Sequence, residues 1–294
     1  MPEPVQFLFS ENINIYIQSF GSPFLDILFK ALTNAGGEPS YIFLASLIFW
    51  CHNKKTGILA MYVILFSALT AIFTKNLLGM PRPPEYLQKI PENGFGFPSA
   101  HATVSSGFWG YLGGRIRKHW FIIVGATAIV AISFSRIYLG VHYAGDVIGG
   151  IFFGLMVVLI FFKAEPAILA GLQKLSIFSK YFVAVVIPVI FMLTAAMQPS
   201  LVVEQMEIGI VMLSIGVGYL LEEEHICLED ARNNKQRFKR ALAGVFLLAI
   251  VYLISHFVFS DFIFFKYPAL GLTSTFMVPW VISRIELSNN SMLK

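Results

Sequence analysis

Residues 135–146 place Arg136, His142 and Asp146 between two long apolar runs of the sequence. A charged side chain at the centre of a bilayer costs about 2.5–3.5 kcal/mol, so ionisable groups beside membrane segments are functional candidates. If the chain is helical from Tyr143 onwards, His142 and Asp146 lie about one turn apart on the same face. The carboxylate can then accept from one imidazole nitrogen while the other nitrogen attacks. The alternative is a capped helix end with an ion pair.

Two more polar clusters have the residue types that phosphoryl transfer requires. Lys75 closes the second apolar run and Arg82 follows it, while Ser99, Ala100 and His101 open the third run. Phosphoryl transfer depends on positioning and on stabilising the charged phosphate oxygens. Guanidinium groups bind phosphate through a planar fork of donors, and the N–H groups at a helix start favour an anion. No acidic cluster suited to Mg²⁺ accompanies these residues, so the sequence predicts metal-free chemistry without a cofactor.

The elements that must position these clusters are membrane helices. Of the 294 residues, 56% are hydrophobic and 13% are charged, and the mean hydropathy is +0.72. Soluble domains carry about 25% charged residues, so the composition predicts an all-α, polytopic membrane bundle. Ser22-Pro23 and Gly36-Gly37 bound a short amphipathic helix that we expect to lie at the membrane interface. About nine spans are predicted, at 40–52, 58–74, 100–114, 120–135, 145–162, 181–197, 201–221, 241–260 and 267–283.

The basic residues predict the orientation of these spans. Most of the 21 Lys and Arg residues follow the odd-numbered spans: Lys54, Lys55, Arg115, Arg117, Lys118, Lys163, Lys174, Lys180, Arg232, Lys235, Arg237, Lys239, Arg240, Arg284 and Lys294. The positive-inside rule makes that face cytoplasmic, and it accounts for the pI near 9.0 without a nucleic-acid partner. All three polar clusters then lie at the opposite, non-cytoplasmic face. Glu204 and Glu207, one turn apart at the start of the seventh span, are interpreted as interfacial or packing residues, and the alternative is that they line a substrate path.

Three motifs with matching internal spacing carry a family resemblance. They are Lys75-x6-Arg82-Pro83, Pro98-Ser99-Ala100-His101 and Ser135-Arg136-x5-His142-x3-Asp146. In this order they look like the signature motifs of the type 2 phosphatidic acid phosphatase (PAP2) superfamily. The resemblance covers roughly residues 40–162. It implies an N-terminal segment at 1–37, a catalytic membrane core at 38–163 and a C-terminal bundle of about four helices at 164–294.

The resemblance also implies a role for each motif residue. His142 resembles the nucleophile that forms a phosphohistidine, and Asp146 resembles the carboxylate that orients it. His101 resembles the acid that protonates the leaving oxygen and then activates water. The residues that resemble the phosphate-binding group are Lys75, Arg82, Ser99, Arg136 and the Ala100 amide. The family usually has glycine where this chain has Ala100; alanine keeps the N–H and adds one methyl group, so we expect activity to survive in a tighter pocket.

The expected function is that of an integral membrane phosphatase acting on a lipid phosphate or diphosphate. A cationic pocket between apolar helices suits an amphiphile with an anionic head, and the expected partners are therefore the bilayer and the lipid substrate. One alternative is a phosphatase for a soluble sugar phosphate, similar to glucose-6-phosphatase. A haloperoxidase of the same superfamily fits a heavily membranous chain poorly. A function of another class is that of a lipid transporter or flippase. The charges argue against it, because they cluster at one face of the membrane rather than at the midplane.

Overall fold

The computed structural model of this chain describes residues 3–194, 202–258 and 263–291, and these residues form helices and no β-strand. A 3₁₀ turn, Glu85–Leu87, lies in the long connection between the fifth and sixth helices. The α-helices are α1 (Glu3–Leu8), α2 (Glu11–Gln18), α3 (Pro23–Ala35), α4 (Glu38–Cys51), α5 (Lys54–Leu78), α6 (Ala100–Ile116), α7 (His119–Tyr138), α8 (Ala144–Lys174), α9 (Ile177–Thr194), α10 (Val202–His225), α11 (Asn234–Val258), α12 (Ile263–Leu272) and α13 (Val278–Ser291).

The predicted all-α membrane bundle is confirmed, because six of the described helices are long and apolar enough to cross a bilayer. They are α5, α7, α8, α9, α10 and α11. Each predicted span coincides with a helix, and α4, α6 and the pair α12–α13 carry the others. The number of crossings, predicted as nine, stays a prediction. Parts of three predicted spans, at 195–197, 201 and 259–260, lie outside the described residues.

The amphipathic helix α3 begins and ends where its sequence predicts. The Ser22 hydroxyl accepts a hydrogen bond from the Leu25 N–H at 3.3 Å, and Pro23 occupies the first turn. Both features stabilise a helix start, and Gly36 caps its end. The sequence did not predict the helices α1 and α2, because segments of six and eight residues are too short to show a clear helical period.

The chain divides into two compact units. The first comprises residues 1–42 and 63–166, and the second comprises residues 43–62 and 167–294. All the residues of the three polar clusters belong to the first unit. Each unit combines two separate stretches of the chain, so the units do not correspond to the three consecutive segments expected from the sequence. That three-part division stays a prediction.

Within the first unit, small residues let α8 lie against α6. A Cβ atom at Gly150 would stand 2.6 Å from the Ser99 carbonyl oxygen and 2.8 Å from the Ala102 side chain. At Gly154 it would stand 2.3 Å from the Thr103 carbonyl oxygen. Membrane helices associate through close backbone packing of this kind, because lipid supplies no hydrophobic drive between them. The approach brings the first turn of α8, with Asp146, next to the first turn of α6.

The second unit has a polar network of its own. The Trp50 indole donates to the Ser274 carbonyl oxygen at 2.7 Å, within the π-helical turn Thr273–Met277. Arg240 donates to the Trp50 carbonyl oxygen at 3.0 Å and makes a bidentate ion pair with Glu286 at 2.8 and 2.9 Å. Lys54 pairs at 3.0 Å with Glu222, whose side chain is fully buried. Each buried charge in this network therefore has a partner, as a low-dielectric interior requires.

We predict that Gly150→Val destabilises the protein, because its side chain would push α8 away from α6. Overpacking of this kind costs about 1–3 kcal/mol. Thermal unfolding in detergent, followed by tryptophan fluorescence, should show a lower midpoint for this variant. Gly171→Val is the matched control on the same helix, since a Cβ there meets no described atom within 4 Å. Equal midpoints for the two variants would contradict the prediction.

Candidate active site

His142 and Asp146 form a buried pair at the junction of α7 and α8. His142 Nδ1 lies 3.2 Å from Asp146 Oδ2, and their side chains are 2% and 0% exposed. The Tyr143 N–H donates to the same carboxylate oxygen at 2.9 Å. The expected one-turn spacing is therefore what the structure shows, because α8 begins at Ala144 and Asp146 lies in its first turn.

Arg82 contacts the opposite edge of the same imidazole. Its Nη1 lies 3.1 Å from His142 Nε2 and donates to the Val141 carbonyl oxygen at 2.9 Å. A guanidinium can only donate, so Nε2 is the acceptor and the proton of the neutral ring is on Nδ1, facing Asp146. This tautomer leaves a lone pair on Nε2, directed at the cationic group.

Burial lowers the pKa of His142 well below its usual range. The cations of Lys75, Arg82 and Arg136 lower it further, since a positive imidazolium would be repelled by all three. A lowered histidine pKa means that the ring stays neutral until the pH falls below that lowered value. The nitrogen that could attack is consequently unprotonated at neutral pH.

Lys75 and Arg136 complete a group of three buried cations. Lys75 Nζ donates to the Phe95 carbonyl oxygen at 2.6 Å from the last turn of α5. Arg136 Nη1 donates to the Thr33 hydroxyl at 2.6 Å, and its Nε has no hydrogen-bond partner among the described residues. A buried donor without a partner is costly. An anionic ligand would relieve that cost.

Ser99, Ala100 and His101 form the start of α6 beside this group. The Ser99 N–H donates to the Asp146 carbonyl oxygen at 2.9 Å, which joins the starts of α6 and α8. The Ser99 hydroxyl is buried, does not cap the helix and has no partner in the described part of the chain. His101 lies against the Thr33 backbone. It is also close enough to His142 for its positive charge to lower the pKa of His142. The structure thus brings all eight predicted site residues together, and their roles stay predictions.

Glu92 is a site residue that the sequence did not predict. Its carboxylate lies 3.0 Å from Arg136 Nη2 and 3.5 Å from Arg82 Nη2. Glu92 belongs to residues 79–99, the connection between α5 and α6. Lys75 and Arg82 also donate hydrogen bonds to the carbonyl oxygens of Asn93, Gly94 and Phe95 in this connection. The α5–α6 connection therefore covers the site.

The second N-terminal helix, α2, holds the α7–α8 turn, residues 139–143, from outside the three motifs. Asn14 Nδ2 donates to the carbonyl oxygens of Ile137 and His142 at 2.9 and 3.0 Å. Gln18 Nε2 likewise donates to the Leu87 and Tyr138 carbonyl oxygens at 2.8 and 2.9 Å. The sequence signal for these residues is weak: they are two amides, one turn apart, on a short amphipathic segment. The structure makes α2 part of the site.

A row of aromatic rings begins beside the site and follows α8. Phe97 lies between Phe9 and Phe153, with ring centroids 6.0 and 6.2 Å apart. A Cβ atom at Gly149 would meet the Phe97 ring at 2.3 Å, so glycine is what lets this ring lie directly on α8. Phe153 continues to Phe152, which is exposed on the outer surface of the same helix. The rings form an apolar wall from the start of α8 to the membrane-facing surface.

Taken together, an integral membrane helix bundle encloses a buried imidazole–carboxylate pair that faces three cations and unpartnered donors. Residues 56–169 match the family model described as PAP2 superfamily. Residues 207–290 match the model described as PAP2 superfamily phosphatase, transmembrane extension. The chain belongs to the PAP2 superfamily and is a membrane phosphatase, as its motifs predict.

Several curated relatives resemble about a third to a half of the chain. The chain is 27% identical over 156 residues to lipid A 4'-phosphatase of Bacteroides thetaiotaomicron, which covers 48% of this chain and 69% of that protein. It is 27% identical over 148 residues to phosphatidylglycerophosphatase B of Bacillus subtilis, which covers 46% and 72%. Undecaprenyl-diphosphatase of Sulfolobus acidocaldarius is 30% identical over 112 residues, covering 36% of this chain and 53% of that protein.

Among solved structures, the chain resembles a PAP2-type phosphatidylglycerolphosphate phosphatase from Bacillus subtilis. The TM-score is 0.48 at 23% sequence identity, and the match covers 54% of this chain and 85% of that chain.

We predict that His142 is a neutral imidazole carrying its proton on Nδ1 at pH 7. Because its pKa is lowered, the ring should stay neutral as the pH is reduced to 6.5 and become protonated only below that. Nitrogen NMR of ¹⁵N-histidine-labelled protein in nanodiscs measures both the tautomer and the titration. The resonance that disappears in His142→Gln identifies the residue. A doubly protonated ring at pH 7 would show that burial and the three cations do not control His142.

Proposed function

We propose that this membrane phosphatase hydrolyses a lipid phosphate or diphosphate through a phosphohistidine on His142. The observation that carries the proposal is the neutral imidazole between Asp146 and three cations, next to the unpartnered donors of Ser99 and Arg136. Such a site offers a nucleophile together with charge stabilisation for phosphate oxygens. The cations come from side chains, so the reaction is proposed to need no metal ion.

In the first half-reaction, His142 Nε2 attacks phosphorus and the bond from phosphorus to the leaving oxygen breaks. Arg82 Nη1, which occupies the Nε2 lone pair at 3.1 Å, moves to a phosphate oxygen as the ligand enters. The Nδ1 proton stays on the ring, and Asp146 stabilises the positive charge that develops. His101 starts this step as the imidazolium and gives its proton to the leaving oxygen, in the manner of a general acid, which leaves it neutral.

In the second half-reaction, His101 takes a proton from a water molecule and the water oxygen attacks phosphorus. The phosphorus–nitrogen bond breaks, inorganic phosphate leaves, and the lone pair returns to Nε2. Both histidines are then in their starting protonation states, so the cycle is balanced. Lys75, Arg82, Arg136 and Ser99 bind the phosphate oxygens in both halves, together with the N–H groups at the start of α6.

A lipid substrate is supported by the aromatic row beside the site. Phe97 and Phe153 lead from the start of α8 to its exposed apolar surface, so a phosphate in the site could keep its hydrocarbon chain in contact with the membrane. The names of the relatives support the same class, since they include phosphatases of lipid A, phosphatidylglycerophosphate and undecaprenyl diphosphate. A soluble sugar phosphate would leave this apolar wall unused.

The non-cytoplasmic face is supported by the distribution of basic residues within the first unit. The site lies where α7 ends and α8 begins, while Arg115, Arg117 and Lys118 lie at the other end of α7. Basic loops stay cytoplasmic under the positive-inside rule. The phosphate is therefore proposed to be removed from lipids of the outer leaflet, or from the leaflet facing the lumen.

We predict that His142→Gln releases no phosphate and forms no phosphoenzyme. With a ³²P-labelled aryl phosphate and an alkaline quench, wild-type protein should retain label and His142→Gln should not. His101→Ala should retain more label than wild type, because an aryl leaving group needs little protonation while the water step loses its base. General base catalysis contributes about 10²–10⁴-fold to rate. Residual turnover above a few per cent in a folded His142→Gln protein would exclude the phosphohistidine.

We further predict that long-chain substrates are preferred. A panel of polyprenyl diphosphates, long- and short-chain lipid phosphates and glucose 6-phosphate should be compared in mixed micelles with excess EDTA. Phe153→Ala should lower kcat/KM for long-chain lipids more than for short ones, because the inner apolar wall shortens. Leu159→Ala, an exposed position on the same helix, should not. Preference for the sugar phosphate would overturn the lipid proposal, and a strict Mg²⁺ requirement would overturn the metal-free one.

A further inference from the structure

Glu92 bridges two of the cations that are proposed to bind the substrate phosphate. One carboxylate oxygen lies 3.0 Å from Arg136 Nη2, and the other lies 3.5 Å from Arg82 Nη2. The side chains of Arg136 and Arg82 are 2% and 8% exposed, whereas that of Glu92 is 31% exposed. The carboxylate thus reaches from the edge of the site to the donors inside it. These contacts are ion pairs, since Arg136 Nη2 makes no hydrogen bond among the described residues. A bound phosphate could place its oxygens against the same two guanidinium groups and form those hydrogen bonds.

The segment that carries Glu92 is held to the protein by these cations. In the described part of the chain, the polar contacts of residues 91–95 end on Lys75, Arg82 and Arg136. The flanks of the segment are attached to the scaffold instead. The Lys89 N–H donates to the Leu139 carbonyl oxygen at 2.9 Å, and the Gly96 N–H donates to that of Met80 at 2.8 Å. Residues 91–95 can therefore leave the site while both flanks keep their positions.

Charge explains why such a segment would occupy an unliganded site. Three cations surround His142, and burying them without anions would be costly. Asp146 neutralises part of this charge, and Glu92 neutralises another part. A phosphate dianion is the stronger ligand for the same guanidinium groups. It would also repel the Glu92 carboxylate at close range, so both cannot remain there.

We propose that Glu92 is an intramolecular substitute for the substrate phosphate, which closes the empty site and is displaced when the phosphate binds. The proposal rests on the proposed function, since it takes Arg82 and Arg136 as phosphate ligands. Each turnover then begins with the exchange of a carboxylate for a phosphate and ends with the reverse exchange. By competing with inorganic phosphate, Glu92 accelerates release of the product. It also selects against singly charged phosphodiesters, which are weaker competitors for the two guanidinium groups.

The size of the effect follows from the population of the closed state. A ligand that binds only the open state has its affinity reduced by the open fraction. If Glu92 occupies the site for about 90–99% of the time, removing its charge should tighten phosphate binding by about 10–100-fold. Glutamine keeps the length and shape of the side chain and is attracted far less to a guanidinium. Glu92→Gln is therefore the appropriate variant.

The test is inhibition of the purified full-length protein by inorganic phosphate, together with its steady-state kinetics. We expect Glu92→Gln to lower the Ki for phosphate and the KM for a lipid phosphate by about 10-fold or more, with kcat unchanged or reduced by slower product release. The matched control is Glu85→Gln, which removes an exposed carboxylate from the same connection. Among the described residues, Glu85 makes no ion pair with the three cations. Its Ki and KM should equal those of the wild type.

Other outcomes would overturn the proposal. A higher Ki and KM in Glu92→Gln would mean that the carboxylate only braces the two arginines in a binding-competent geometry. A loss of kcat by 100-fold or more at unchanged KM and Ki would mean that Glu92 takes part in the chemistry. Unchanged constants would mean that the bridge has no competitive role.

Failure of the proposed function would be recognised separately. If wild-type protein hydrolyses the substrate but is not inhibited by phosphate, or if His142→Gln stays active, the assignment of the phosphate site is wrong. If His142→Gln is inactive and wild type is inhibited by phosphate, the site assignment survives. In that case an unaltered or raised Ki in Glu92→Gln counts against the substitute role of Glu92 alone.

Discussion

The structure of the first unit depends on the burial of three cations around one imidazole. Lys75, Arg82 and Arg136 cannot be removed from water without acceptors, and the fold supplies them from every direction. The acceptors are the carbonyl oxygens of Asn93, Gly94, Phe95 and Val141 and the Thr33 hydroxyl. The Glu92 carboxylate adds ion pairs to Arg136 and Arg82. The same cations lower the pKa of His142 and keep its imidazole neutral. The proposed phosphate site and the proposed nucleophile therefore both depend on one charge distribution.

The scaffold around this charge is built from amides and from close helix packing. Asn14 and Gln18 tie the α7–α8 turn to α2, which keeps the His142 backbone in place. At Gly140, where φ is +71°, a Cβ atom would stand 1.9 Å from the Leu87 carbonyl oxygen. Only glycine fits this contact between the α7–α8 turn and the α5–α6 connection. A geometry held from several elements lets the imidazole, its carboxylate and the cations stay aligned as ligands exchange.

The second unit adds charged groups that are matched within itself. Arg240, Glu286 and the Trp50 carbonyl oxygen satisfy one another, and Lys54 satisfies Glu222. The transmembrane-extension model matches residues within this unit. Among the described residues of this unit, Gln205 Oε1 and Arg237 Nε are buried without a hydrogen-bond partner. The first unit differs because its unpartnered donors, on Ser99 and Arg136, belong to the unit that holds the buried His142–Asp146 pair. The chemistry is proposed for the first unit because that pair and its cations lie there.

The sequence by itself determined the helical membrane class, the cap of α3 and the residues that meet at the site. Apolar runs indicate the membrane helices, and because successive spans alternate in direction, the three motifs were predicted to lie at the same membrane face. Only the tertiary structure revealed Glu92, Asn14 and Gln18 as parts of that site. Apart from the Glu92–Arg82 pair, their contacts join positions 44–128 residues apart, through turns whose course depends on long-range hydrogen bonds. Helical periodicity and motif spacing do not predict such long-range contacts. The tertiary structure also decided the tautomer of His142, because it set Arg82 on one ring nitrogen and Asp146 on the other.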